Sequence, residues 1–420
     1  LKSLNAEKLE VVEPGEWRLY EEIKKEAEDW DVEFEYMEDT HFLCTREDFE
    51  EWADGRKDMI LEHFYRMMRK KHGIMVEGGK PVGGQWNFDK ENRKPYSKDL
   101  PDVPELNKFS PDKLTKDVIK TVNEKLPDLP GKIDSFFWPV TRDQAKEALR
   151  GFIRQRLELF GPWQDTMVEE EPWMFHSMLS SSLNLKLLNP KECLDKVIAR
   201  VDKIEALNSI EGFVRQILGW REFIRGVYWS QGPGYAERNF LGESGDLPEL
   251  YWTGDTEMNC MKQCLKSVVD HGFGHHIQRL MVTGNFALIS GVHPKKISDW
   301  YLGMYIDAIE WVTLPNTLGM VMHADGGIVG TKPYAAGGNY ISKMSNYCKN
   351  CKYNPSEKYS DDACPFSVLY WDFMFRHKDT LSDNQRMSLI LNQVNKYSDE
   401  DKKRIQSKAK KFKKEYGIIK

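Results

Sequence analysis

Short runs rich in apolar residues, Leu9-Glu10-Val11-Val12 and Val32-Glu33-Phe34-Glu35-Tyr36, each predict a strand. Between them, Trp17-Arg18-Leu19-Tyr20 through Ala27 spaces its apolar positions along one helical face, so the opening reads as a β-α-β unit of parallel-sheet type. A doubly wound domain needs more strands than two, and the unit is expected to be an incomplete Rossmann-like domain. Residues 48–71 predict mostly helix, ending in the basic run Arg66-Met67-Met68-Arg69-Lys70-Lys71 that suits a helix C-terminus. Gly83-Gly84, Pro95, Pro101 and Pro104 then break all periodicity and predict a linker. Beyond Thr141 helical spacing prevails to about Leu302, with amphipathic stretches at 143–158, 191–208 and 209–226. The expected organisation is a partial α/β domain over 1–75, a linker over 76–140 and a large all-α domain over 141–420.

Composition narrows the function classes. The mean hydropathy is −0.61 over 420 residues, and no apolar run approaches the roughly 20 residues that span a bilayer, so no membrane partner is expected. A formal charge of −6 argues against a surface that coats nucleic acid everywhere; binding to it would need a local basic groove. The 13 Trp and 17 Tyr suit packing first, and stacking or electron transfer second. The opening at Leu1, with a polar stretch from Lys2 to Lys8, carries no export signal or presequence, which predicts a cytoplasmic protein, read as N-terminally truncated.

Seven cysteines without an export signal predict no disulfide framework. Cys348-Lys349-Asn350-Cys351 is a Cys-x-x-Cys, and Cys364 follows it directly before Pro365. Three thiolates so spaced can converge on one metal centre, with Cys260 or Cys264 as the fourth ligand. Spacing alone leaves a structural zinc and a 4Fe-4S cluster both open. His271 and His275 stand i,i+4 apart, which places them on one helical face if the helix runs through Gly272 and Gly274.

Two motifs carry a family resemblance. His176-Ser177-Met178-Leu179-Ser180-Ser181-Ser182-Leu183-Asn184 resembles the flavin-phosphate segment of the photolyase and cryptochrome family, where small hydroxyl residues beside helix N-termini suit a pyrophosphate. Downstream, Phe213-Val214-Arg215-Gln216-Ile217-Leu218-Gly219-Trp220-Arg221-Glu222-Phe223 is similar to the same family's Trp-Arg-Glu helix, with Gln216 in the usual Glu place. Within that family the chain most resembles the iron-sulfur bacterial cryptochromes and prokaryotic (6-4) photolyases. The likeness runs through Trp138-Pro139-Val140-Thr141-Arg142 and Phe160-Gly161-Pro162-Trp163-Gln164-Asp165 to Trp371-Asp372-Phe373.

The resemblance implies an incomplete antenna domain, a linker, and a helical FAD-binding domain with a C-terminal iron-sulfur region. It implies FAD held by Ser177, Leu179, Ser180, Gln216, Trp220, Asp307 and Glu310, and a 4Fe-4S cluster on Cys260, Cys348, Cys351 and Cys364. It further implies a 6,7-dimethyl-8-ribityllumazine antenna, a Mg2+ ion on Asp89, and electron relay through Trp252, Trp300, Tyr301 and Tyr334. His276 takes the place of the family's proton donor to the lesion, seconded by His275, because the animal-type second histidine is replaced by Leu280. Arg93, Lys94, Arg279 and Arg376 are the expected phosphate contacts. The implied activity is light-driven repair of (6-4) photoproducts in UV-damaged DNA by a monomeric carbon-carbon lyase, which flips the lesion into a pocket beside the flavin. A blue-light photoreceptor without repair is the alternative.

Overall fold

The computed structural model describes residues 6–30, 32–202 and 205–420. The polar opening from Lys2 lies outside them as far as Asn5, and the stretch 191–208 crosses two further residues outside them. Strand β1 (Lys8–Val12), the helix Trp17–Ala27 and strand β2 (Glu33–Met37) form the expected β-α-β unit, with parallel pairing from Lys8 opposite Glu33 to Val12 opposite Met37. Period-two alternation gives the ladder one half-buried face, on which the Tyr36 ring stacks over Tyr20 at 4.5 Å. The other face is charged and carries Lys8 bonded to Glu35 at 2.6 Å.

The stretch 48–71 divides into two helices, Arg46–Ala53 and Leu61–His72, because the chain turns at Gly55 with φ +66°. Thr45 and Asp48 close a capping box at the start of the first. These helices dock through Phe49, Trp52 and Phe64 onto Phe223 of the later helix Glu222–Gln231. The approach needs Gly226, where a Cβ would stand 2.0 Å from the Phe49 ring. A buried ion cluster completes the joint: the Glu222 carboxylate accepts from Leu43 N and Cys44 N, and Arg221 and Arg225 cover the Phe42 ring at 4.0 and 4.1 Å.

The linker region is more ordered than its composition suggests, since it holds the helix Lys113–Lys125, capped by Asp112. Among the described residues of the helical domain, three helices contain a π-helical turn, at Arg215–Arg221, Gln278–Gly284 and Pro315–Val321. Two boundary expectations are corrected. The stretch 191–208 is not one helix: Pro190–Ile198 stops early and the next helix starts at Leu207. The helix Asn259–His271 ends at Gly272 in the left-handed region, φ +63°, so His271 and His275 do not share a helical face. Among the described residues no helix is long and apolar enough to cross a membrane.

Candidate functional site

The serine-rich segment sits on a strained stretch of backbone. Glu170, Met174, Met178 and Lys186 all take positive φ without being glycine, which brackets His176 and the one-turn helix Ser180–Asn184 between unusual conformations. Leu179 and Leu183 are buried in the core, while Ser177 and Ser180 are half-buried. The hydroxyls of Ser181 and Ser182 are buried and have no hydrogen-bond partner. Asn184 Nδ2 donates to the Asp307 carbonyl at 2.6 Å, tying this turn to Asp307.

The Asp307 carboxylate accepts from Arg279 Nη2 through Oδ2 at 3.0 Å, and its Oδ1 lies 3.0 Å from Nη1 as an ion-pair contact. Burial works against the Arg279 charge, but Asp307 outweighs it and pushes the Arg279 pKa up. The same guanidinium lies 4.0 Å over the Tyr305 ring and donates from Nε to Gly274 O. Arg279 is one helical turn from His275, whose carbonyl accepts from Arg279 N at 3.0 Å. Serine turn, Asp307, Arg279 and the two histidines therefore form one continuous wall.

Of those histidines, His276 has a side chain 48% exposed, and its Nε2 lies 3.1 Å from Asp165 Oδ1. His275 is fully enclosed and stacks on His176, with ring centroids 4.6 Å apart. Burial pushes the pKa of both enclosed rings well down, and neighbouring positive charge lowers them less strongly, from His276 on His176 and from His176 and His276 on His275. The exposed ring can thus meet a substrate while the two behind it stay neutral.

The aromatic residues run from surface to interior. Trp252 is 44% exposed, and its neighbour Tyr251 accepts through its carbonyl from Trp300 Nε1 and meets the Trp300 ring at 5.0 Å. Trp300 meets Tyr301 at 5.2 Å, and Tyr301 stacks on Tyr305 at 5.1 Å, directly under Arg279. Tyr334 stands apart from this series: it packs against Gly330.

The cysteines converge from three elements. Cys260 lies in the first turn of Asn259–His271, Cys348 lies within the turn Tyr347–Asn350 and Cys351 directly after it, and Cys364 stands at the N-cap of Pro365–Arg376. Burial raises the Cys260 thiol, and Cys364, Cys348, Cys264 and Cys351 raise it further, which places all of them near one another. Among the described residues no three of these sulfurs fall within 4.8 Å of each other. A single tetrahedral zinc, with Zn–S near 2.3 Å, would demand closer thiolates than that, whereas a polynuclear cluster holds them apart. Cys264 turns instead to the Tyr347 hydroxyl.

Other expected residues are engaged elsewhere. Glu310 bonds to the Tyr228 hydroxyl, and its backbone N–H bonds to Glu16, on the side of the α/β unit. Gln216 returns its amide to Gly212 O of its own helix, and Trp220 packs on Phe223. From that helix it is Arg221 that reaches the serine turn, through the His41 carbonyl and a 2.8 Å bond between His41 Nε2 and Leu183 O. Asp89 is held by Arg93 and by Arg215 at 3.1 Å, so both its oxygens already face guanidinium groups and a magnesium ion has no free carboxylate there. Arg279 and Arg376 are ion-pair partners, Arg279 with Asp307 and Arg376 with Glu243 and Asp372.

Sequence reading missed Asp165, His176, Ser181, Ser182, Arg221, Tyr251 and Tyr305. Asp165 and the serines lie inside motifs that were singled out, but which member of a motif turns inward depends on the positive-φ residues around it. The unpartnered Ser181 and Ser182 hydroxyls beside the Asp307–Arg279 pair suit a phosphate-bearing, amide-rich cofactor such as a flavin dinucleotide.

Residues 1–138 match the family described as deoxyribodipyrimidine photo-lyase-related protein. A (6-4) photolyase of Agrobacterium fabrum is 46% identical over 389 residues, covering 92% of this chain and 76% of that protein. Two solved structures share the fold at 14% sequence identity: a bacterial class III photolyase from Agrobacterium tumefaciens, with a TM-score of 0.52 over 99% of this chain and 81% of that one, and a Synechocystis cryptochrome, with a TM-score of 0.50 over 99% and 80%.

Proposed function

The chain belongs to the photolyase and cryptochrome family, and from that membership we propose that it repairs (6-4) photoproducts in DNA with light. The observation that carries the proposal is the single wall formed by half-exposed His276, Arg279, Asp307 and the serine turn.

Ser181 and Ser182 would donate to the phosphates of FAD, and the Arg279–Asp307 pair would present its guanidinium edge to the ring. When bound, reduced and photoexcited, that cofactor supplies an electron that returns at the end of the cycle, so the reaction has no net redox change. Asp165, bonded to Nε2, orients the His276 ring and leaves Nδ1 free, and His276 donates its proton from Nδ1 to the flipped base. The buried His275 and His176 exclude water behind it. Trp252, Trp300 and Tyr301, with Tyr251 and Tyr305, offer a path for charge between surface and interior, because indole and phenol side chains can be transiently oxidised. Cys260, Cys348, Cys351 and Cys364 would hold a 4Fe-4S cluster that clamps the C-terminal helices to Asn259–His271.

The experiment is an absorption spectrum of anaerobically purified protein, then illumination with an oligonucleotide carrying one (6-4) photoproduct and mass analysis of the strand. Light-dependent restoration that is lost in His276→Ala while flavin is retained supports the reading. Flavin without restoration overturns repair and leaves a photoreceptor of the same architecture.

A further inference from the structure

Buried ring nitrogens without partners are costly, on the order of 1–3 kcal/mol each, and here they gather in one place. His275 has neither ring nitrogen bonded, and His176 Nε2 is likewise unpartnered. One nitrogen from each of His176, His275 and His276 lies within 4.8 Å of the other two. The Asp165 carboxylate stands at the edge of this group, 3.1 Å from His276 Nε2. Three imidazoles and a carboxylate make a nitrogen and oxygen donor set, distinct from the thiols of the cysteine group. Such a set suits borderline divalent cations, whereas Mg2+ and Ca2+ prefer oxygen alone.

We propose that His176, His275 and His276, with Asp165 as fourth ligand, bind one transition-metal dication of the Zn2+ class. Closing around an ion at about 2.0–2.1 Å requires the His176 and His275 rings, stacked 16° from parallel, to turn until a nitrogen lone pair of each meets the ion, and the Asp165 carboxylate to swing in from the edge of the group. The ion enters past His276, whose side chain is 48% exposed, and comes to rest against His275 and His176, which are buried. The positive-φ residues Met174 and Met178 fix the backbone on both sides of His176, so the backbone of that ligand is held before the ion arrives. An occupied site also removes the His276 lone pair and proton from use, so the ion and proton donation exclude each other. That last consequence rests on the function proposed above; the binding itself does not.

The test uses the holoprotein with its cofactors in place, freed of adventitious metal by a mild chelator. Zinc is titrated by calorimetry, and its coordination is read by X-ray absorption. The expected result is one zinc per chain in a nitrogen and oxygen shell, bound at least tenfold more weakly by His176→Gln and by the exposed-site variant His276→Gln. The second variant keeps the test decisive if the buried one does not fold. Sulfur neighbours near 2.3 Å, no saturable binding, or unchanged affinity in His276→Gln would overturn the site. Repair assays on the same samples separate the two readings. Zinc that binds as expected and stops light-dependent repair, reversibly with chelator, supports both; zinc that binds as expected while repair continues leaves the site standing and removes His276 as proton donor.

Discussion

His276 Nε2 lies 3.1 Å from Asp165 Oδ1, a contact across 111 residues of chain that joins the start of the helix leading into Gln278–Gly284 to the turn after Leu157–Trp163. His276 projects into solvent, so without a partner its ring would sample several rotamers. Asp165 is a positioning residue, and Asp165→Asn should lower light-dependent repair about 10- to 100-fold with flavin content unchanged. Partial rescue by Asp165→Glu, which restores the carboxylate, would separate orientation from a general loss of structure. Repair at wild-type rate in Asp165→Asn would remove the residue from the mechanism.

The pair Arg279 and Asp307 makes a different prediction, about stability. Removing Asp307 leaves the Arg279 guanidinium, 26% exposed, without its carboxylate partner, which costs about 1–3 kcal/mol. Asp307→Ala should therefore shift the urea midpoint strongly downward and release flavin. A variant that keeps wild-type stability would show that water replaces the carboxylate and that the wall is open.

Cys260 and Cys264 stand one helical turn apart on the same helix, yet only Cys260 faces the other thiols as a group. Iron and labile sulfide measured per chain should fall to background in Cys260→Ser and stay intact in Cys264→Ser. The opposite pattern would move the fourth ligand to Cys264.

Acid stability should depend on Glu243. Burial raises its carboxyl pKa, but bonds from His377 and Arg376 outweigh burial, and the group titrates below the usual range. The unfolded chain, with an ordinary value near about 4.3, then binds more protons than the folded chain in the window below it, so stability rises with pH there. The contribution is fully present above about pH 5 and is lost as pH falls through the folded value. Urea unfolding between about pH 3 and 6 should show an acid limb that Glu243→Gln flattens; an unchanged limb would mean that other carboxylates control it.

The β-α-β unit was legible because Leu9, Val11, Phe34 and Tyr36 alternate with polar residues, a local signal. The helical domain was legible in kind, but its breaks were not: Gly272 ends a helix that the histidine spacing suggested would continue. In the site, Asp307 lies against the paired-histidine segment through Arg279. Glu310 does not, since Tyr228 and Glu16 from distant parts of the chain take it in another direction. Asp89 reads as a metal ligand only while Arg215, 126 positions away by sequence number, is out of view. Motifs thus located the segments, while the direction of each side chain depended on partners that no local window contains.

Each of the three π-helical turns acts as a phase change. A residue advances an α-helix by about 100°, so one extra residue in a turn rotates everything after it by roughly that amount. In the run from Leu207 to Gln231 this lets Phe213 face Phe152 and Phe160 before the turn, while Phe223 faces Phe49 and Phe64 after it. One rod thereby addresses two neighbours that an unbroken helix would meet with a single face. A one-residue deletion in a loop only shortens it; here it would let the α ladder run through and turn Arg221, Glu222 and Arg225 together away from Phe42 and the segment they hold.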